Sequence, residues 1–283
     1  MKSPSSTLKK VIAQISMLVV IVGCAAEPMI TQETTTANVA NSPAGPNTTT
    51  QTEAPAVTDN NTPTCAQPDS TNAARCAEME AAILSATVRL VLKIYAPNAD
   101  GTFQMEDSSI GHATILEGRY LLTHNHFGLS LADFQDGRKR TLTLHRPDGE
   151  VILQDAPFGA FTVVTAAAET LVFDFGDYGG QGLFAALGLA SIETNPTAAT
   201  QLRPGMEVAQ VDWNGATAHV DWVRVLSVTE TEGTPAVVLD NFVEQGASGG
   251  GIFYEGQHLG NNWFRSTEEG ANGEILGQYS TAA

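Results

Sequence analysis

Ser248 is the lone hydroxyl in a run of six small residues, Gly246 to Gly251, set between apolar stretches in NFVEQGASGGGIFYEG (residues 241–256). A serine hydroxyl attacks a carbonyl at neutral pH only when a nearby imidazole takes its proton and a carboxylate holds that imidazole. Two imidazoles, His124 and His126, follow the apolar run of RYLLTHNHF, and two acids, Glu169 and Asp174, bracket the apolar run of ETLVFDF. Glu169 and Asp174 stand at an odd offset, so on one strand they point to opposite faces. His124 and His126, two apart on an extended segment, could share a face as metal ligands. No third ligand stands near them, and neither a metal nor another cofactor is expected.

These groups need rigid elements to hold them. ATVRLVLKIY alternates, with Val88, Leu90, Leu92 and Ile94 on one face and Arg89 and Lys93 on the other, the pattern of a half-buried strand. Further short strands are expected in HATILEG, RYLLTHN, RTLTLHR, EVILQDA, FTVVTAA, TLVFDFG, MEVAQVDWN, HVDWVRVLSV, AVVLDNF and GIFYEG. Helix is expected in CAEMEAAIL and at most once more, around GLFAALGLA. About a dozen strands with few helices predict an all-β sandwich or barrel architecture.

The rest of the chain bounds the setting. A net charge of −17 over 283 residues leaves nothing to neutralise phosphates and argues against nucleic-acid partners. Lys2, Lys9 and Lys10 precede an apolar run, Val11–Val22, too short for the ~20 residues of a membrane span. The run ends in IVGC, which resembles the lipobox of bacterial lipoprotein signal peptides. That resemblance implies export, lipidation at Cys24 and attachment to a membrane at the cell envelope or surface of a bacterium. Residues 1–23 then form the signal peptide. Residues 24–75 are rich in Thr, Asn and Pro, too poor in large apolar residues to offset ordering entropy, and read as a tether. The folded domain is expected over 76–283. Cys65 and Cys76, in an oxidising compartment, are expected to pair.

GHATILEGRYLLTHNHF resembles the segment around the catalytic histidine of chymotrypsin-fold serine proteases, especially bacterial HtrA-like and glutamyl-endopeptidase-like members. QGASGGGIF resembles the nucleophile segment of the same family, with Gly251 where proline is usual. The resemblance implies two six-stranded antiparallel β-barrels with the active site between them. It makes His126 the general base and Ser248 the nucleophile, and it forms the oxyanion hole from the N–H groups of Gly246 and Ser248. The acid heads a buried strand in that family, which points to Glu169, a Glu in place of the usual Asp, with Asp174 as runner-up. The substrate, a protein or peptide, would enter a pocket at Phe242 and the LGNNWF stretch, including Gly260 and Asn261. With Glu244 the one acid nearby, an apolar or small side chain is expected there.

Two other readings compete. GASGG also matches the G-x-S-x-G elbow of α/β hydrolases, but that fold needs an acid and a histidine after the serine. Only His258 follows, and no Asp does. The second is a protease-fold surface protein without turnover, acting as a binding module, a reading sustained by Glu169 and Gly251.

Overall fold

The computed structural model describes residues 64–124, 136–167, 170–178, 180–194, 201–231, 234–269 and 275–282. Cys24, His126 and Glu169 lie outside the described residues. Helix α1 (Ala73–Ser85) leads into β1 (Thr87–Pro97), β2 (Phe103–Leu116), β3 (Tyr120–His124), β4 (Lys139–His145), β5 (Val151–Pro157), β6 (Thr162–Ala167) and β7 (Thr170–Asp174). A small hairpin, β8 (Asp177–Tyr178) and β9 (Gln181–Gly182), and the single turn α2 (Leu183–Ala186) follow. Then come β10 (Glu207–Trp213), β11 (Ala218–Thr231), β12 (Thr234–Leu239), β13 (Gly251–Tyr254), β14 (Gln257–Glu269) and β15 (Ile275–Ala282). Among the described residues no helix is long and apolar enough to cross a membrane.

The strands form two units. The first is a seven-stranded antiparallel sheet in the order β5-β4-β1-β2-β3-β7-β6, curled around one core. Alternation builds that core as expected: Val88, Leu90 and Leu92 are buried, and Ala113, Ile115, Leu121, Leu142, Leu144, Leu171 and Phe173 join them. The second unit is a closed barrel, β10-β11-β12-β15-β14-β13. This all-β pair is compatible with the two-barrel chymotrypsin-like architecture. The first unit differs from a closed six-stranded barrel in being a seven-stranded sheet with β5 and β6 as its edges.

Two Glu-Gly turns set the registers that matter for the site. Glu117, Gly118 (φ 51° and 63°) and Arg119 join β2 to β3, with Leu116 opposite Tyr120, and Glu255 and Gly256 (φ 50° and 77°) join β13 to β14, with Tyr254 opposite Gln257. Positive φ at the Glu and Gly of each turn matches the right-handed strand twist and keeps both hairpins tight. The first turn pairs Thr114 with Leu122 and brings β3 to its end at His124. On its other side β3 pairs with β7, Tyr120 opposite Asp174 and His124 opposite Thr170.

The two units meet along a seam. Ala113 and Ile115 face the first core, so His112 and Thr114 face the opposite way. There the His112 ring lies 5.4 Å from that of Trp213, and the Arg89 guanidinium stacks 4.8 Å over the same indole. Helix α1 leans on the second unit: Ile83 packs with Val211, Trp213 and Phe253, and Trp222 Nε1 donates to Glu80 Oε1 at 2.6 Å. Cys65 and Cys76 are joined, with Cα atoms 5.5 Å apart. The backbone N–H groups of Cys65 and Ala66 donate to the Glu207 carboxylate at 2.6 and 3.0 Å. Cys65 and Ala66 are thus moored to the barrel at the start of β10, while most of the residues between Ala66 and Cys76 are exposed.

Candidate active site

Ser248 lies on the connection from β12 to β13, whose anchors are mostly to the barrel. Asn241 Nδ2 donates to Gln210 Oε1 and Asp221 Oδ2, at 3.1 and 3.0 Å. The Glu244 N–H donates to Asp212 Oδ1 at 3.0 Å, and Arg265 Nη1 reaches the Val243 carbonyl at 3.4 Å. Ala247 is fully buried beside Val211 and Trp213, which fixes the residue before the serine. Asn262 supports the turn from below: its Nδ2 donates to Val211 O and Ala247 O, while its Oδ1 accepts from Gln210 Nε2 at 2.8 Å.

The same turn is held from the first unit. The His112 N–H donates to Ser248 O at 2.8 Å, and His112 Nδ1 to Gly246 O at 2.8 Å. Gly249 (φ 79°) sits so close that a Cβ there would overlap Thr123 Oγ1 and His112 O and lie 3.3 Å from His124 N. Ser248 therefore rests against the end of β3, two residues before His126.

The serine is half-buried, and its Oγ makes no hydrogen bond among the described residues. Likewise the N–H groups of Gly246 and Ser248 donate to no acceptor among the described residues. A cavity of ≈ 280 Å³ opens beside them, lined by Val243, Glu244, Gln245, Gly246, Ser248, Asn262, Trp263 and Arg265. Of the pocket residues expected from sequence, none of Phe242, Gly260 and Asn261 lines it. Phe242 lies under the Arg265 guanidinium at 4.9 Å, Gly260 pairs with Ile252, and Asn261 is buried against His258 Nε2 at 3.2 Å. Asn261 and Asn262 are both buried, and the register of β14 shifts between Asn262 and Phe264; the wall is formed by Asn262, under the serine turn, and Trp263.

Asp174 is committed elsewhere. Arg119 grips it through Nε (2.6 Å) and Nη2 (2.8 Å), and the Gly176 N–H adds a third bond at 2.8 Å. It pairs with Tyr120, four register steps from His124, or about 13 Å at the strand rise. His258, the one histidine after Ser248, is buried in the barrel, and that burial holds its imidazole down to about 4. Its Nε2 is engaged by Asn261 Oδ1 at 3.2 Å and it makes no hydrogen bond to Ser248, so the arrangement gives the hydrolase-elbow reading no base.

His112 was not singled out from sequence. Burial lowers it to about 4, against the bond to the Gly246 carbonyl, which raises it; the Arg89 charge lowers it further. Because a carbonyl only accepts, Nδ1 carries the proton, and Nε2 is left buried without a partner among the described residues. Asp212, His219 and Asp221 form a mixed cluster beneath Asn241 and Glu244, with ligand atoms within 4.8 Å of one another. Burial raises Asp212, against backbone hydrogen bonds from Trp213 and Glu244. Those bonds make it an anchor for the serine connection. No protein-family model matches this chain, and no curated protein matches it either.

Proposed function

We propose that the protein is an exported serine endopeptidase with His126, Glu169 and Ser248 as its triad. The observation that carries this reading is the seating of Gly249 on Thr123 and His124, which sets Ser248 at the end of the strand from which His126 follows. The register supports the acid: His124 pairs with Thr170, the residue after Glu169, whereas Asp174 is taken up by Arg119. Two uncommitted N–H groups on either side of Ala247 supply what a developing oxyanion needs.

In this mechanism His126 takes the proton as Ser248 Oγ bonds the peptide carbonyl carbon. The Gly246 and Ser248 N–H groups hold the resulting oxyanion. Collapse breaks the C–N bond, and His126 returns the proton to the leaving amine. Water, deprotonated by the same imidazole, then cleaves the acyl ester and frees Ser248. The cavity beside Ser248 is lined by one cation, Arg265, and one anion, Glu244, together with the apolar Val243 and Trp263. This balance suits an uncharged side chain and offers no isolated acid for Lys or Arg.

A fluorophosphonate probe applied to the full chain at pH 7–8 tests the chemistry. The expected result is labelling of the wild type and a loss of at least ~1,000-fold in Ser248→Ala. Folded wild-type protein that stays unlabelled favours the rival, a binding module built on the same fold. Attachment through a lipid on Cys24 belongs to the same reading. Detergent-phase partitioning checks it: Cys24→Ala is expected in the aqueous phase, and its continued partition into detergent would overturn the anchor.

A further inference from the structure

We infer that His112 is a positioning residue that locks the oxyanion-hole peptides from the opposite side of the seam. This rests on the proposed serine chemistry, and it concerns a residue outside the triad. The two candidate donors belong to alternate peptide groups, Gln245–Gly246 and Ala247–Ser248. The peptide groups interleaved with them are tied at both ends. Gly246–Ala247 has its carbonyl on His112 Nδ1 (2.8 Å) and its N–H on Glu244 O (3.1 Å). Ser248–Gly249 has its carbonyl on the His112 N–H (2.8 Å) and its N–H on Asn262 O (3.0 Å). One residue thus holds one end of both fixed peptides. The Ser248 N–H is left between two planes that cannot turn, and the Gly246 N–H borders one of them on its C-terminal side; preorganisation of this kind is what makes such donors effective.

The ring is well suited to the task. His112 is fully buried in β2, its carbonyl accepts from Thr123 Oγ1 at 2.6 Å, and Trp213 and Arg89 pack around it. It cannot swing away without opening the seam. Gly246 has φ 105°, a conformation open chiefly to glycine, so its carbonyl direction needs an external tie. The bond at Nδ1 is that tie, and the backbone bond to Ser248 O survives any substitution. The side-chain contribution can therefore be isolated.

The test compares His112→Leu with His112→Asn, since Asn Nδ2 stands at the same branch point as Nδ1 and keeps the donor. Inactivation by the fluorophosphonate probe is resolved into kinact and KI. Hydrogen–deuterium exchange is followed over residues 243–250. The expected result is a roughly 10- to 100-fold fall in kinact for the Leu variant with KI unchanged, and recovery to within a few fold in the Asn variant. Exchange over 243–250 is expected to rise in Leu and not in Asn. Equal kinact in Leu and wild type, or Asn failing as badly as Leu while both are folded, overturns the inference. If the wild type is itself unreactive, the serine reading fails, and exchange alone decides: unchanged protection in Leu sinks His112 as a tie.

Discussion

Gly249→Ala is expected to lose at least ~100-fold in probe reactivity and about 2–4 kcal/mol in stability. Two separate effects combine. The residue has φ 79°, where a Cβ is strained by about 1 kcal/mol. The new methyl would also overlap Thr123 Oγ1 and His112 O, which are hydrogen-bonded to each other and cannot both yield. Overpacking of that kind adds roughly 1–3 kcal/mol. Relief requires the turn to back away from β3, which breaks the His112 N–H bond to Ser248 O and would separate the serine from the proposed base, His126. A displacement near 1 Å is enough for about 100-fold. Gly256→Ala is the matched control: it has φ 77° with open space around it, so the strain is present without the overlap. Urea unfolding and probe labelling of both variants check this. Equal behaviour of the two would remove the close seating of the turn as the cause.

The second large effect is acid sensitivity between pH 6.5 and about 4. An unfolded chain binds protons at its histidines near pH 6.5, whereas the fold holds His112 and His258 to about 4. Within that window the unfolded state carries more protons, so stability falls as the pH falls. Above pH 6.5 and below about 4 these two groups contribute no slope. The loss is on the order of 3 kcal/mol for each histidine when the window is crossed completely. Asp212 acts in the opposite sense: burial raises it, so its contribution improves as acid neutralises the carboxylate. Urea midpoints at pH 7, 5.5 and 4.5 are expected to fall steadily, and His258→Gln should remove about half of the slope. A flat midpoint across that range would contradict the burial of both rings as neutral species.

The expected elements and the observed ones agree where side-chain alternation is strong. The β1 pattern placed Val88, Leu90 and Leu92 in the core. Strands β14 and β15 were not among the strands expected. Their inward positions include Asn262 and Ser280, polar side chains that break the apolar alternation of a strand. Both are buried in the barrel because Gln210 Nε2 bonds Asn262 Oδ1 and Ser280 Oγ, each at 2.8 Å. That network joins residues 52 and 70 apart, so no local pattern carries it. The Ser248 turn was legible because glycines are costly to spend without a reason of close approach. His112 was not, since its role depends on a contact 134 residues away. The cavity wall lies at Asn262, Trp263 and Arg265 rather than at Gly260 and Asn261 because the register of β14 shifts between Asn262 and Phe264, an irregularity that no simple alternation in the sequence predicts.

The attachment of Cys65 and Ala66 to Glu207 has a mechanical consequence. Tension applied to the chain ahead of Thr64 reaches the folded body at Cys65. Part of it passes through the sulfur bridge into α1, by-passing residues 66–75, and part is grounded on the barrel at the start of β10. Strand β1 lies beyond α1 and takes load only once the Glu207 bonds and the packing of α1 on the second unit have yielded. The seam that holds Ser248 against β3 is therefore expected to open later than these moorings under a tug on the N-terminal stretch.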